Sequence, residues 1–289
     1  MRRYLLATLL IGVLLTGCFS GAEKPKDKII FVSILPLKYF ADKIVGNTWK
    51  VEVTVPPGVG PETYSPTPKQ MVLLGESKAY YSIGFLGFEQ AWLENFKSTN
   101  QDLQIFVTSK NVDLIKENEQ HPDHIHLQGV DPHIWSSPKA ARQIALNICN
   151  GMVQIDPDAA GFYRSNLKLL LAEIDNVDST VSRLLKNVPA KKFIIFHPAL
   201  GYFARDYGFE QLSIEFEGKV PSPKHLQTVI ETAKSGNIKY VLIQKEFDIE
   251  NAEIIAKETG SKVIQIDPLD YYWPQQMIAI AEKLSNTPQ

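Results

Sequence analysis

The stretch that most constrains this chain begins at Pro157 and reads PDAAGFYRSNLKLLLAEIDNVDSTVSRLLKNV, with no proline after its first residue. Leu167, Leu170, Leu171, Ile174, Val177, Val181, Leu184 and Leu185 recur at intervals of three and four, which places them on one face of a helix. Pro157 suits the first turn, where no intrahelical N–H is required. A helix of about 30 residues is roughly 45 Å long. That exceeds the usual globular helix and reads as a strut between two bodies.

On both sides of this stretch apolar strand-like runs alternate with helical patterns. KIIFVSIL, KVEVTV, AYYSIG and LQIFVTS are separated by helical segments before it, and KFIIFH, FEQLSIEF, KYVLIQ and KVIQID after it. Such alternation predicts α/β lobes built on mainly parallel sheets. The expected organisation is an N-terminal lobe over 28–150, a connecting helix over 151–188 and a C-terminal lobe over 189–289. The net charge of −2 and the pI near 6.3 give no electrostatic footing for nucleic acid.

MRRYLLATLLIGVLLTGC opens with two arginines, continues with an apolar run from Tyr4 to Leu15 and ends in small residues. This is the layout of an export signal, and the run is short for a membrane-spanning helix. LTGC resembles the bacterial lipobox. The resemblance implies cleavage after residue 17 and lipid on Cys18, with the polar segment 18–27 as a tether and the protein anchored in the bacterial cell envelope. With Cys18 so used, Cys149 has no intrachain partner, and its apolar helical surroundings give it a packing role.

The chemistry-bearing residues cluster at strand ends and in proline-constrained loops. FIIFHPAL ends in His197 before Pro198, and VIQIDPL ends in Asp267 before Pro268. Ligands of open α/β sheets bind beyond the carboxyl ends of the strands. Glu62 lies in a Gly/Pro-rich loop after KVEVTV, and His133 lies between Pro132 and Pro138. Each residue alone has a plainer reading: a structural histidine, an Asp–Pro turn, a solvated glutamate. Two from each half of the chain together point to a shared site. Four of the six histidines fall within 121–135, and His121, His124 and His126 sit among acids just before His133.

GPETYSPTPKQ, DPHIWSSP, FHPALGYFARDYG, EGKVPSPKHL and VIQIDPL occur in this order along the chain. With them the chain resembles the zinc- and manganese-binding substrate-binding lipoproteins of ABC transporters, the ZnuA/TroA-like family, over essentially all of its mature length. The resemblance implies two Rossmann-like lobes on a rigid helix. It also implies a monomer that is not an enzyme and that delivers a divalent ion to a permease with its ATPase. It maps metal ligands onto Glu62, His133, His197 and Asp267. Glu62 departs from the pattern, since the family's first motif carries histidine there. His197 matches the zinc members, where manganese members carry glutamate. His121, His124 and His126 match a longer acidic, histidine-rich loop of zinc members and are expected to assist capture; a solvated loop is the competing reading. Glu217 and Lys219 are expected to be structural.

Zinc accepts two imidazoles and two carboxylates tetrahedrally, whereas manganese favours more oxygen donors. The expected cargo is therefore Zn2+, with Mn2+ as the alternative. A secreted metal-dependent hydrolase is a further alternative, with Glu62 as base, although no H-E-x-x-H or G-x-S-x-G motif occurs. A binding protein for haem, siderophore or cobalamin shares the expected scaffold but needs a roomy cleft.

Overall fold

A computed structural model describes residues 28–116, 129–189, 191–215, 222–236, 238–247 and 249–285. The expected signal, Cys18 and the tether lie outside the described residues, as do His121, His124, His126, Glu217 and Lys219. In the N-terminal lobe, β1 (Ile29–Val32), α1 (Leu35–Val45), β2 (Lys50–Val53), α2 (Pro68–Glu76), β3 (Ala79–Ser82), α3 (Gly87–Thr99) and β4 (Gln104–Val107) alternate. Two long helices follow, α4 (Pro138–Ile155) and α5 (Ala160–Leu185). The second lobe repeats the alternation with β5 (Lys192–Ile195), α6 (Gly201–Tyr207), β6 (Glu210–Ser213), α7 (Pro223–Ser235), β7 (Tyr240–Gln244), α8 (Glu250–Thr259) and β8 (Lys262–Ile266), and α9 (Trp273–Ser285) closes the chain.

Each sheet has four parallel strands, ordered β2-β1-β3-β4 and β6-β5-β7-β8. The two lobes thus share one topology. Parallel strands need helical crossovers, and helices on the faces bury the strands on both sides, which explains continuous apolar runs such as IIFV. In each sheet the chain moves to one side of the first strand and then crosses to the other. This reversal opens a crevice at the strands' carboxyl ends. His197 lies in that crevice at β5, next to the end of β7.

The connecting helix is shorter than its sequence suggests. Pro157–Ala159 forms a separate 3-10 turn, and α5 starts at Ala160 and runs for 26 residues, about 39 Å. The break is set by Asp156, whose carboxylate pairs with Lys28 at 2.9 Å and accepts bonds from Trp49 Nε1 at 3.2 Å and Tyr163 Oη at 2.8 Å. Tyr163, Leu170, Ile174, Val177, Val181 and Leu185 form the buried face of α5, which packs against α1, α4 and α9.

One continuous apolar core therefore runs from Phe40 and Tyr81 of the first lobe, through Ile174 and Val181, to Phe193 and Trp273 of the second. Trp273 meets Phe40 edge-on at 5.1 Å, and Tyr271 donates to Asp42 at 3.0 Å. Cys149 is buried in this core as a free thiol.

Because Ile174 has no exposed surface, Ile174→Ala should cost about 2–5 kcal/mol of stability through lost burial and a residual cavity. Urea unfolding measures this; a loss below about 1 kcal/mol would show that α5 is not part of a shared core.

Candidate metal centre

His133 and His197 approach from opposite lobes. The loop carrying His133 enters a 3-10 turn at Ile134–Ser136, and His197 follows β5. Their Nε2 atoms stand 3.1 Å apart. Glu62 Oε1 lies 3.9 Å from the first and 3.5 Å from the second. Among the described residues, these three side chains form the group whose donor atoms all lie within 4.8 Å of one another. Both histidines are buried, while the Glu62 side chain is 36% exposed.

The other ring nitrogen of each histidine is held by a buried acid. His133 Nδ1 is 2.8 Å from Asp131 Oδ1, which also accepts the His133 backbone N–H at 2.9 Å. His197 Nδ1 is 2.8 Å from Glu215 Oε2. A carboxylate on Nδ1 keeps the proton there and turns the Nε2 lone pair outward, the arrangement that orients ligating histidines. Two lone pairs then face each other across 3.1 Å, a repulsive contact unless a proton or cation lies between them.

Without a metal, a proton on one of the two nitrogens would fill that role. Burial alone pulls the His197 imidazole down, but its hydrogen bonds to Glu215 and Glu62 and their charges outweigh it and push it up to about 9.

The spacing suits a small divalent ion. A triangle with edges of 3.1, 3.5 and 3.9 Å has its in-plane equidistant point about 2.0 Å from each corner, and an ion slightly out of that plane lies within the roughly 2.0–2.2 Å of zinc–nitrogen and zinc–oxygen bonds. The adjoining cavity, about 30 Å³, has room for a water. Its size suits an ion or a water and gives no support to haem, a siderophore or a cobalamin as the ligand.

Local packing fixes each donor. Glu62's backbone carbonyl lies where a side chain at Gly87 would stand, so only glycine fits at the start of α3. Phe88 N–H reaches Pro61 O at 3.4 Å. The fully buried Glu89 anchors this helix end by accepting from Ile83 N–H at 2.8 Å, Gly84 N–H at 2.7 Å, Leu86 N–H at 3.3 Å and the Ser33 hydroxyl. Asp131 fills the space beside Gly201 of the other lobe, and Tyr202 Oη donates to its backbone carbonyl at 2.7 Å. Gln244 clamps the His197 backbone, donating to its carbonyl at 2.6 Å and accepting its N–H at 3.3 Å. Phe247 stacks on the His197 ring at 5.4 Å.

The fourth sequence-based candidate stands outside the trio. Asp267 pairs with Lys245, Oδ2 to Nζ 2.9 Å, while its neighbours Pro268 and Leu269 line the cavity. Glu246 also lines the cavity, and its Oε1 is buried with no hydrogen-bond partner among the described residues. Sequence reasoning passed over Asp131, Glu215 and Glu246. Glu215 ends an apolar strand-like run, the cue that singled out His197 and Asp267, and Asp131 is the acid of the D-P-H turn itself.

Fold and site together define a two-lobed clamp whose cleft brings together three side chains able to hold a divalent cation. The sequence pattern of the ZnuA family, zinc-uptake complex component A, periplasmic, matches residues 30–286, and the chain belongs to that family. It is 28% identical over 262 residues to the high-affinity zinc uptake system protein ZnuA of Bacillus subtilis strain 168, covering 86% of this chain and 81% of that one. A crystal structure of ZnuA superposes with a TM-score of 0.84 at 38% identity, over 90% of this chain and 99% of that one. A manganese-bound variant of a periplasmic metal-binding protein from Candidatus Liberibacter asiaticus shares the fold, with a TM-score of 0.80 at 19% identity over 90% of this chain and 99% of that one.

Removing the acid behind His197 should weaken the site without abolishing it. Glu215→Gln is expected to lower metal affinity about 10–100-fold, read by competition with a chelator of known strength; unchanged affinity would overturn its role. The raised His197 value sets the pH response. Only the neutral imidazole ligates, so apparent affinity should climb about tenfold per pH unit from 6.5 towards 9. Over the same window the metal-free protein should lose stability, because the protonated form that folding favours disappears. A plateau in affinity above pH 7 would contradict this.

Proposed function

We propose that this protein captures Zn2+ outside the cytoplasm and delivers it to an ABC permease driven by its ATPase. Glu62, His133 and His197 are the protein's donors to the ion. The observation that carries this reading is the pair of Nε2 atoms 3.1 Å apart, each backed by a buried carboxylate. Asp131, Glu215 and Glu62 together supply three negative charges around two imidazoles, a balance that favours a divalent cation. Family membership and the zinc-uptake relative support transport as the purpose. Lipid on Cys18 would hold the protein as a monomer at the membrane face where the permease opens.

Zinc is favoured over manganese on three counts. Two of the three donors are nitrogens, the spacing fits bonds of about 2.1 Å, and zinc outranks manganese at a given site in the Irving–Williams order. Manganese is the second reading, favoured by the carboxylate of Glu62 and by a further acid lining the cavity, Glu246. Asp267 reaches the fourth position only by giving up Lys245. A hydrolytic role finds less support, because Glu62 serves as a donor and is not free to act as a base.

Elemental analysis of protein purified without added metal, followed by zinc and manganese titrations, tests the proposal. The wild type should hold one equivalent of zinc, and His197→Ala should lose it. Equal zinc uptake by the two proteins, or a preference for manganese, would overturn the assignment.

A further inference from the structure

An ion held by Glu62, His133 and His197 has three protein donors, and zinc in four-coordinate sites takes a fourth. Two carboxylates stand near enough to matter. Asp267 is already neutralised by Lys245 at 2.9 Å, and the cavity wall is built from its neighbours Pro268 and Leu269. Glu246 is the opposite case. The residue lines the cavity alongside the three donors, and its buried Oε1 finds no hydrogen-bond partner among the described residues. A buried carboxylate oxygen left unpaired costs free energy on the order of 1–3 kcal/mol or more, and such groups mark places where an ion or water completes the structure.

Glu246 sits too far out to be a fourth direct ligand in this arrangement, since its oxygens are not within 4.8 Å of all three donor atoms. A water can bridge groups that do not touch directly, and the cavity of about 30 Å³ accommodates one. Phe247, stacked on His197, and Gln244, clamped to the His197 backbone, fix the two ends of the short segment that carries Glu246.

We propose that Glu246 is a positioning residue of the metal site: its free carboxylate oxygen accepts a hydrogen bond from the water on the ion's fourth position. The ion is thereby held by three side chains and one oriented water, and Asp267 remains with Lys245. This rests on the metal-capture reading above.

The test compares the purified wild-type chain with Glu246→Gln and Asp267→Asn by chelator-competition titration of Zn2+ and by the visible absorption spectrum of the Co2+ form. Glu246→Gln should bind one equivalent of zinc about 10–100-fold more weakly. Its Co2+ bands should shift, while the metal-free protein unfolds at the wild-type temperature or above. Asp267→Asn should lose less affinity than Glu246→Gln and keep the wild-type Co2+ spectrum. Wild-type zinc binding with unaltered affinity and spectrum in Glu246→Gln overturns this inference alone, as does a larger loss in Asp267→Asn. A wild type that takes up no zinc overturns the metal-capture reading and this inference with it.

Discussion

Everything in this molecule turns on two imidazole nitrogens forced to face each other across the cleft. Left alone, two lone pairs at that distance repel, and rings free to rotate would turn away. They do not turn, because Asp131 and Glu215 hold the far side of each ring. The local repulsion is sustained by buried charge-assisted hydrogen bonds, and a cation between the rings, a proton or a metal ion, would relieve it. The attraction for a cation is thus built into the acids behind the rings as much as into the rings themselves.

Such a site works only if the lobes keep their spacing, and the fold provides for that in depth. A displacement of one ångström between lobes would carry a donor beyond bonding range. The two sheets share one core through α5, and α9 packs along the same helix. Near the site, Trp135 of the first lobe donates to Pro268 O at 3.0 Å, and Trp273 donates to Trp135 O at 2.7 Å. These indoles tie the His133 turn to the loop after β8. The fold therefore behaves as a braced clamp, unlike a hinge with two separate cores.

Much of this was readable from residue order, for physical reasons that also mark where reading stops. The alternation of apolar runs with amphipathic stretches dictated two parallel sheets, and the three-and-four spacing from Leu167 onward gave the buried face of α5. His197 stood out because a strand's carboxyl end is where ligands of such sheets bind, and the structure brings it beside His133 and Glu62. The start of α5 was not legible, because Asp156 breaks the helix with partners as distant as Lys28, a contact that no local pattern encodes. Asp267 has the same strand-end signature as His197, yet its carboxylate goes to Lys245, a choice made by the approach of two neighbouring strands. Glu246 carries no signal of its own; its interest arises from an oxygen that folding leaves without a partner.

The three side chains of the trio differ in exposure. His133 and His197 are buried and doubly anchored, so they are poor candidates to move. Glu62 is partly solvent-exposed and lies in the segment between β2 and α2, held by its backbone at Gly87 while its carboxylate meets the cleft mouth. Of the three side chains, Glu62 is the one that solvent reaches. A carboxylate there, where the resembled pattern carries histidine, is a charged and easily hydrated group, whereas the two imidazoles are shielded from water by the lobes that carry them. The site is thus wet on one side and dry on the other, and the dry side is the one backed by Asp131 and Glu215.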